Sequence, residues 1–180
     1  YERAATHLKA ACYSFFAIGL IDIFVALALY QWLRFVHRPL AIITSCLRLV
    51  YTTITLAVLP NLLTALLAVY AHDTNTISTS LRTFELGWNV TALATFGIHL
   101  IFLGISMTVL VHSPSTKLTF DITSPFVVWI LAALLFVAGS GYIADSWGKV
   151  SYLPSQSPID LSANGTSVGE VLFMFWILFK

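Results

Sequence analysis

Charge is what this sequence has least of. Only 9% of its 180 residues are Asp, Glu, Lys or Arg, against about 25% in an ordinary soluble domain. So little charge cannot cover a water-facing surface. The net charge is +1, so there is no basic field to attract nucleic acid. Two cysteines, Cys12 and Cys46, are too few for a disulfide framework. On the hairpin deduced below they lie roughly 20 Å apart in depth, beyond the ~7 Å reach of a disulfide, and both read as buried thiols. No signal peptide is visible. The chain starts without Met and stops inside an apolar run, which implies processing or a longer parent chain.

What is abundant is apolar. Hydrophobic residues make up 58% of the chain and come in long blocks. Blocks of about 18 or more with few charges read as membrane spans. The fold class expected is an all-α, polytopic transmembrane bundle forming one domain over residues 1–180. Five spans are expected, at about 10–33, 40–70, 84–111, 126–143 and 168–180. The last is too short to cross without more chain, at about 1.5 Å per residue. Pro39 suits a first helical turn, and Pro60 with Asn61 predicts a kink in the second span. "HDTNTISTS" (72–80) and 145–167 read as polar loops.

Alternating spans sort the loops onto two sides. Lys and Arg divide evenly apart from Arg48, so the short "RFVHR" bend is the best orienting signal. It places loop 34–39 in the cytoplasm, and residues 1–9 and 145–167 outside. "NGT" (164–166) matches a glycosylation acceptor on that outer side, a motif common by chance.

Two charges stand inside apolar runs. Asp22 lies about 14 residues before the bend near Val36 and His37, and Arg48 about 12 after it. In an antiparallel hairpin both sit roughly 18–21 Å from the bend, at one depth in a hydrocarbon core of about 30 Å. A lone charge there costs at least about 2.5–3.5 kcal/mol. An Arg fork holding a carboxylate by two hydrogen bonds offsets much of that cost, so a buried Asp22–Arg48 ion pair is expected. The structural reading, a pair that fixes which helix faces meet, is preferred to a functional polar centre.

Other polar residues recur at helical spacing. Thr44, Thr52 and Thr55 share a face with Arg48, and Asn89, His99 and Ser106 share another, with Glu85 on that arc and Thr95 just beyond it. Such stripes mostly face a bundle interior and hydrogen-bond between helices. Gly97, Gly104, Gly139 and Gly141 leave room for close packing. Glu85, Asp145 and Glu170 are expected at one membrane face, with His72 nearby, as solvated acids rather than a cation site.

Reactive constellations are scarce in this sequence. A bis-histidine haem needs two deep histidines, and only His99 qualifies. A pigment held by His99 alone stays open beside a hydrogen-bonded structural histidine. "AGSG" around Ser140 is similar to intramembrane serine proteases, but Ala138 stands where their pattern wants Gly, and His99 precedes the serine. No zinc spacing or phosphate loop occurs. No metal or resident cofactor is expected, nor any catalytic residue.

Five stretches together resemble an uncharacterised family of bacterial polytopic membrane proteins, domain-of-unknown-function family 4386. They are "VALALYQWLRFVHRPLA" (25–41), "LRLVY" (47–51), "FGIHLIFLG" (96–104), "GSGYIADS" (139–146) and "GEVLFMFWILFK" (169–180). "TSPFVVWILAALL" lacks a glycine usual near that point in the family. The resemblance implies about six helices in the whole protein and an outer N-terminus, and it carries no catalytic residue. The role expected is a non-enzymatic structural or accessory subunit of a bacterial membrane complex, with lipid and other membrane subunits as partners. The alternative is a small transporter or binder of an amphiphile, with its polar centre at Asp22, Arg48 and His99.

Overall fold

A computed structural model describes residues 2–112 and 125–151. Five α-helices follow in order: α1 (Glu2–Leu33), α2 (Arg38–Ala71), α3 (Thr74–Leu86), α4 (Leu93–His112) and α5 (Pro125–Ser151). A π-helical segment, Gly87–Ala92, joins α3 to α4 without a break. Among the described residues four helical rods are therefore long and apolar enough to cross a membrane: α1, α2, Thr74–His112 and α5. The fifth span expected at 168–180, and Glu170 with it, lie outside the described residues.

Local chemistry explains the ends. The α1–α2 bend is only a few residues long, and the His37 imidazole accepts from the Leu40 amide while Pro39 occupies the first turn of α2. α2 closes on His72, whose φ of 59° lets its amide reach back to the carbonyls of Ala68 and Val69. α2 runs unbroken through Pro60, and the Asn61 side-chain amide donates to the Val58 carbonyl at 3.3 Å.

The stretch expected as a polar loop at 72–80 is instead helical from Thr74. Asp73 caps it, its carboxylate accepting the amides of Asn75 and Thr76 at 3.1 Å each. Polar residues do not stop a helix whose backbone bonds are internal. Ile77, Ser80, Leu81 and Phe84 supply the inward face at helical spacing. A second correction lies at the far end. α5 continues to Ser151, so residues 145–151 are helix and not the start of a loop.

Packing is sequential. α1 lies chiefly on α2, α2 on α3 and α4, and α4 on α5. The main core joins Leu29 and Leu33 of α1 to Ala41 and Tyr51 of α2, Phe96 and Met107 of α4, and Leu131 and Leu135 of α5. A smaller cluster sets Cys12 against Leu59 and Leu62, with Leu81 and Phe84 of α3 beside them. Outside, large apolar side chains such as Tyr13, Phe24, Leu67, Phe126 and Val137 are exposed. Lipid tolerates that surface, and helices satisfy their own backbone groups there. Cys12 is buried, but Cys46 is exposed on the outer face of α2, which corrects the expectation of two buried thiols.

Candidate functional site

Asp22 is 3% exposed and Arg48 8% exposed, so the pair is inside the protein and away from lipid. Arg48 Nε donates to Asp22 Oδ1 at 3.1 Å, and Nη2 donates to the same oxygen. The expected fork spans two carboxylate oxygens; here both donors converge on one. Asp22 Oδ2 is left without a hydrogen-bond partner. The guanidinium also lies over the rings of Phe96, 4.9 Å from its centroid, and Tyr51, at 5.6 Å. Aromatic faces attract a cation most strongly where water is absent.

His99 adds a second polar group across the α2–α4 interface. It is fully buried, and its Nδ1 lies 2.9 Å from the Thr44 carbonyl oxygen. A carbonyl can only accept, so Nδ1 carries the proton. Nε2 then presents a lone pair, and it has no partner. Phe96 stacks beside His99 with ring centroids 5.8 Å apart. The ring has no exposed surface, and Phe96 covers one of its faces.

The remaining stripe residues divide. Thr52 and Thr55 are buried, but their hydroxyls return to the carbonyls of Arg48 and Tyr51 on their own helix, each at 2.9 Å. Ser106 does the same to Phe102, and half-buried Thr95 to Thr91. The Asn89 carbonyl accepts from Ser146 Oγ at 2.8 Å, tying the π segment to α5. That bond was not legible in the sequence, because it uses a backbone group and a residue of the 145–167 stretch read as loop. Trp88, also in the π segment, meets Phe15 of α1 and Tyr51 of α2 edge-on or tilted.

The two described acids of the expected grouping differ in exposure. Glu85 is exposed, while Asp145 is buried and pairs with Lys149 at 2.9 Å, one turn along α5. Its Lys four residues on was a usable signal, masked by reading 145–151 as loop. No group of three His, Cys, Asp or Glu suited to a metal occurs among the described residues. Ser140 is exposed on α5, whereas His99 is enclosed against α2.

Glycine positions the α4–α5 pair. A Cβ at Gly97 would stand 2.5 Å from the Gly139 carbonyl oxygen, and one at Gly139 2.5 Å from that of Gly97. Gly104 approaches the Ala132 carbonyl and the Phe136 ring, both at 3.2 Å from such a Cβ. Gly141 is half-buried. Between α1 and α2, a Cβ at Gly19 would stand 2.6 Å from the end of the Leu56 side chain.

Four long apolar helices around an internal ion pair define a multi-pass helical membrane protein. The sequence comparisons go one step further. A family model, Domain of unknown function (DUF4386), matches residues 2–180, and the chain belongs to that family. An "Uncharacterized protein" of Archaeoglobus fulgidus is 32% identical over 177 residues, covering 97% of this chain and 87% of the relative. That relative is archaeal, so membership of the family does not by itself place the chain in a bacterium. No solved structure matches significantly.

Proposed function

We propose that this protein is a non-enzymatic structural or accessory subunit of a larger bacterial membrane complex. The observation that supports this is how its buried polar groups are used. Arg48–Asp22 ties α2 to α1, His99 ties α4 to α2, and Ser146 ties α5 to the π segment. Each is an interhelical fastener of the kind that fixes packing inside a membrane. In this reading loop 34–39 faces the cytoplasm, and residues 1–9 and 145–167 face outward. Purification of the native protein in mild detergent tests the proposal. A stable companion chain is expected; a monodisperse protein with no companion counts against it.

A second reading is favoured by one specific observation, the unpartnered Asp22 Oδ2 and His99 Nε2. It makes the protein a small transporter or binder of an amphiphile, with the ligand's polar end at Asp22, Arg48 and His99. An open groove of about 460 Å³ lined by Thr108, Val109, His112 and Trp129 lies more than two turns along α4 from His99 and does not reach that centre. Extraction of the purified protein and mass spectrometry of its lipids tests this reading. One species enriched at a fixed ratio to protein is expected, and bulk lipid composition would remove it.

A further inference from the structure

Charge is unevenly placed along the rods. Every described acid except Asp22 stands at the end away from the α1–α2 bend: Glu2, Asp73, Glu85 and Asp145. Arg3, Lys9, Arg82 and Lys149 stand at that same end and balance them one for one. Asp22 and Arg48 cancel in the interior. Arg34 and Arg38, both exposed, are left at the bend with no acid beside them among the described residues. The Arg34 guanidinium lies over the Phe35 ring, 4.6 Å from its centroid. Stacking uses the face of a guanidinium and leaves the donors at its edge free.

Beneath these charges the surface is apolar. Arg38 opens α2. At about 100° per residue, Ile42, Cys46 and Leu49 fall within about 80° of Arg38 on that helix. All three are exposed, as is Val50 next to Leu49. The strip they form descends roughly 17 Å from Arg38 at helical rise. Phe35, 60% exposed, adds an apolar edge beside the arginines.

The occupant follows from this pairing. A cationic head over an apolar strip matches a molecule with an anionic head and an acyl chain. An acidic peptide segment matches only the head, because its polar backbone would lie on Ile42 and Leu49. Arginine forks suit phosphate oxygens, and basic residues beside a membrane helix attract anionic lipid. We infer that Arg34, Arg38 and the Ile42, Cys46, Leu49 strip form a surface site for an anionic phospholipid. The two guanidinium groups hold its phosphate, and one acyl chain lies along α2. The inference goes beyond both functional readings, since it concerns the outer face of α2 and not the internal polar centre.

Cys46 is a natural reporter, about 12 Å down the strip from Arg38. The full chain carrying Cys12→Ser is labelled at Cys46 with bimane and placed in phosphatidylcholine vesicles. The vesicles contain a small, equal fraction of either phosphatidylglycerol or phosphatidylcholine bearing a mid-chain nitroxide. The phosphatidylglycerol probe is expected to quench several-fold more than the phosphatidylcholine probe. Arg34→Gln with Arg38→Gln is expected to remove that preference. Arg3→Gln with Arg82→Gln takes the same charge from the other end and is expected to leave it intact. Equal quenching by the two probes in the parent protein overturns the inference. So does a preference that survives the loss of Arg34 and Arg38, or one lost equally with Arg3 and Arg82, which would reflect overall charge alone. Quenching by neither probe places protein over the strip and also overturns it. Native mass spectrometry of the unlabelled chain, in detergent with equal amounts of the two lipids, is independent of the label. Phosphatidylglycerol is expected to be retained ahead of phosphatidylcholine, and equal retention contradicts the inference.

Discussion

Gly97 and Gly139 meet backbone to backbone, each so close that a methyl group on one would press on the carbonyl oxygen of the other at 2.5 Å. The α4–α5 interface is built around this contact. Inside a membrane no water drives helices together, so close approach and van der Waals packing carry more of the association.

Gly97→Ala and Gly139→Ala are each expected to destabilise the protein by about 1–3 kcal/mol, the usual cost of overpacking a tight site. A backbone oxygen cannot swing aside as a side chain can. The double variant is expected to cost less than the two single costs together, because one methyl already parts the helices. Gly148→Ala is the control, with nothing within 4 Å of its added carbon. Thermal unfolding in detergent measures all four.

Breaking the ion pair from one side leaves a buried charge uncompensated. Asp22→Leu and Arg48→Met are each expected to cost about 3–5 kcal/mol. The combined Asp22→Leu, Arg48→Met protein is expected to recover most of that loss, since similar apolar side chains need no partner. A double-mutant cycle on unfolding free energies checks this, and additive losses would contradict it.

Asp73 makes one helix start sensitive to acid. The Thr76 hydroxyl and amide, and the Asn75 amide, hold its carboxyl below the ordinary carboxylate range. A lowered folded-state value means the cap is fully effective above the unfolded value of about 3.9 and is lost as pH falls through the lower folded one. Protection of the Asn75 and Thr76 amides from hydrogen exchange, taken relative to the free amide at each pH, should therefore stay high near neutral pH and fall in strong acid. Asp73→Ala is expected to show low protection at every pH, with α4 and α5 unaffected.

The two thiols differ in access. Cys46 is exposed on α2 and Cys12 is packed among Leu59 and Leu62. In detergent, a membrane-permeant maleimide is expected to label Cys12→Ser, which keeps Cys46, several-fold faster than Cys46→Ser. Equal rates would contradict the packing of α1 on α2.

The apolar rods and the α1–α2 bend are legible in the chain because a membrane demands long apolar runs and helical rise turns residue counts into depth. The DUF4386 resemblance is legible for a related reason, as four of the five stretches that carry it lie on or between those rods. Helix ends were harder. Thr74–Ser80 and Asp145–Ser151 carry polar side chains, and side-chain polarity says little about a backbone that satisfies itself. The Asp145–Lys149 pair went unseen for the second of these reasons, because Asp145 finds Lys149 only if both stand on a helix.

By itself the sequence determined that this chain lives in a bilayer and that Asp22 and Arg48 count to one depth, since composition and helical rise are properties of the chain alone. Only the tertiary structure decided that both Arg48 donors close on one oxygen, that His99 holds the Thr44 carbonyl, and that Thr44 and Ser45 do not bond back to their own helix. Those choices depend on rotamers and on the rotation of each rod about its axis. Neighbouring helices set both, and no spacing within a single helix encodes them.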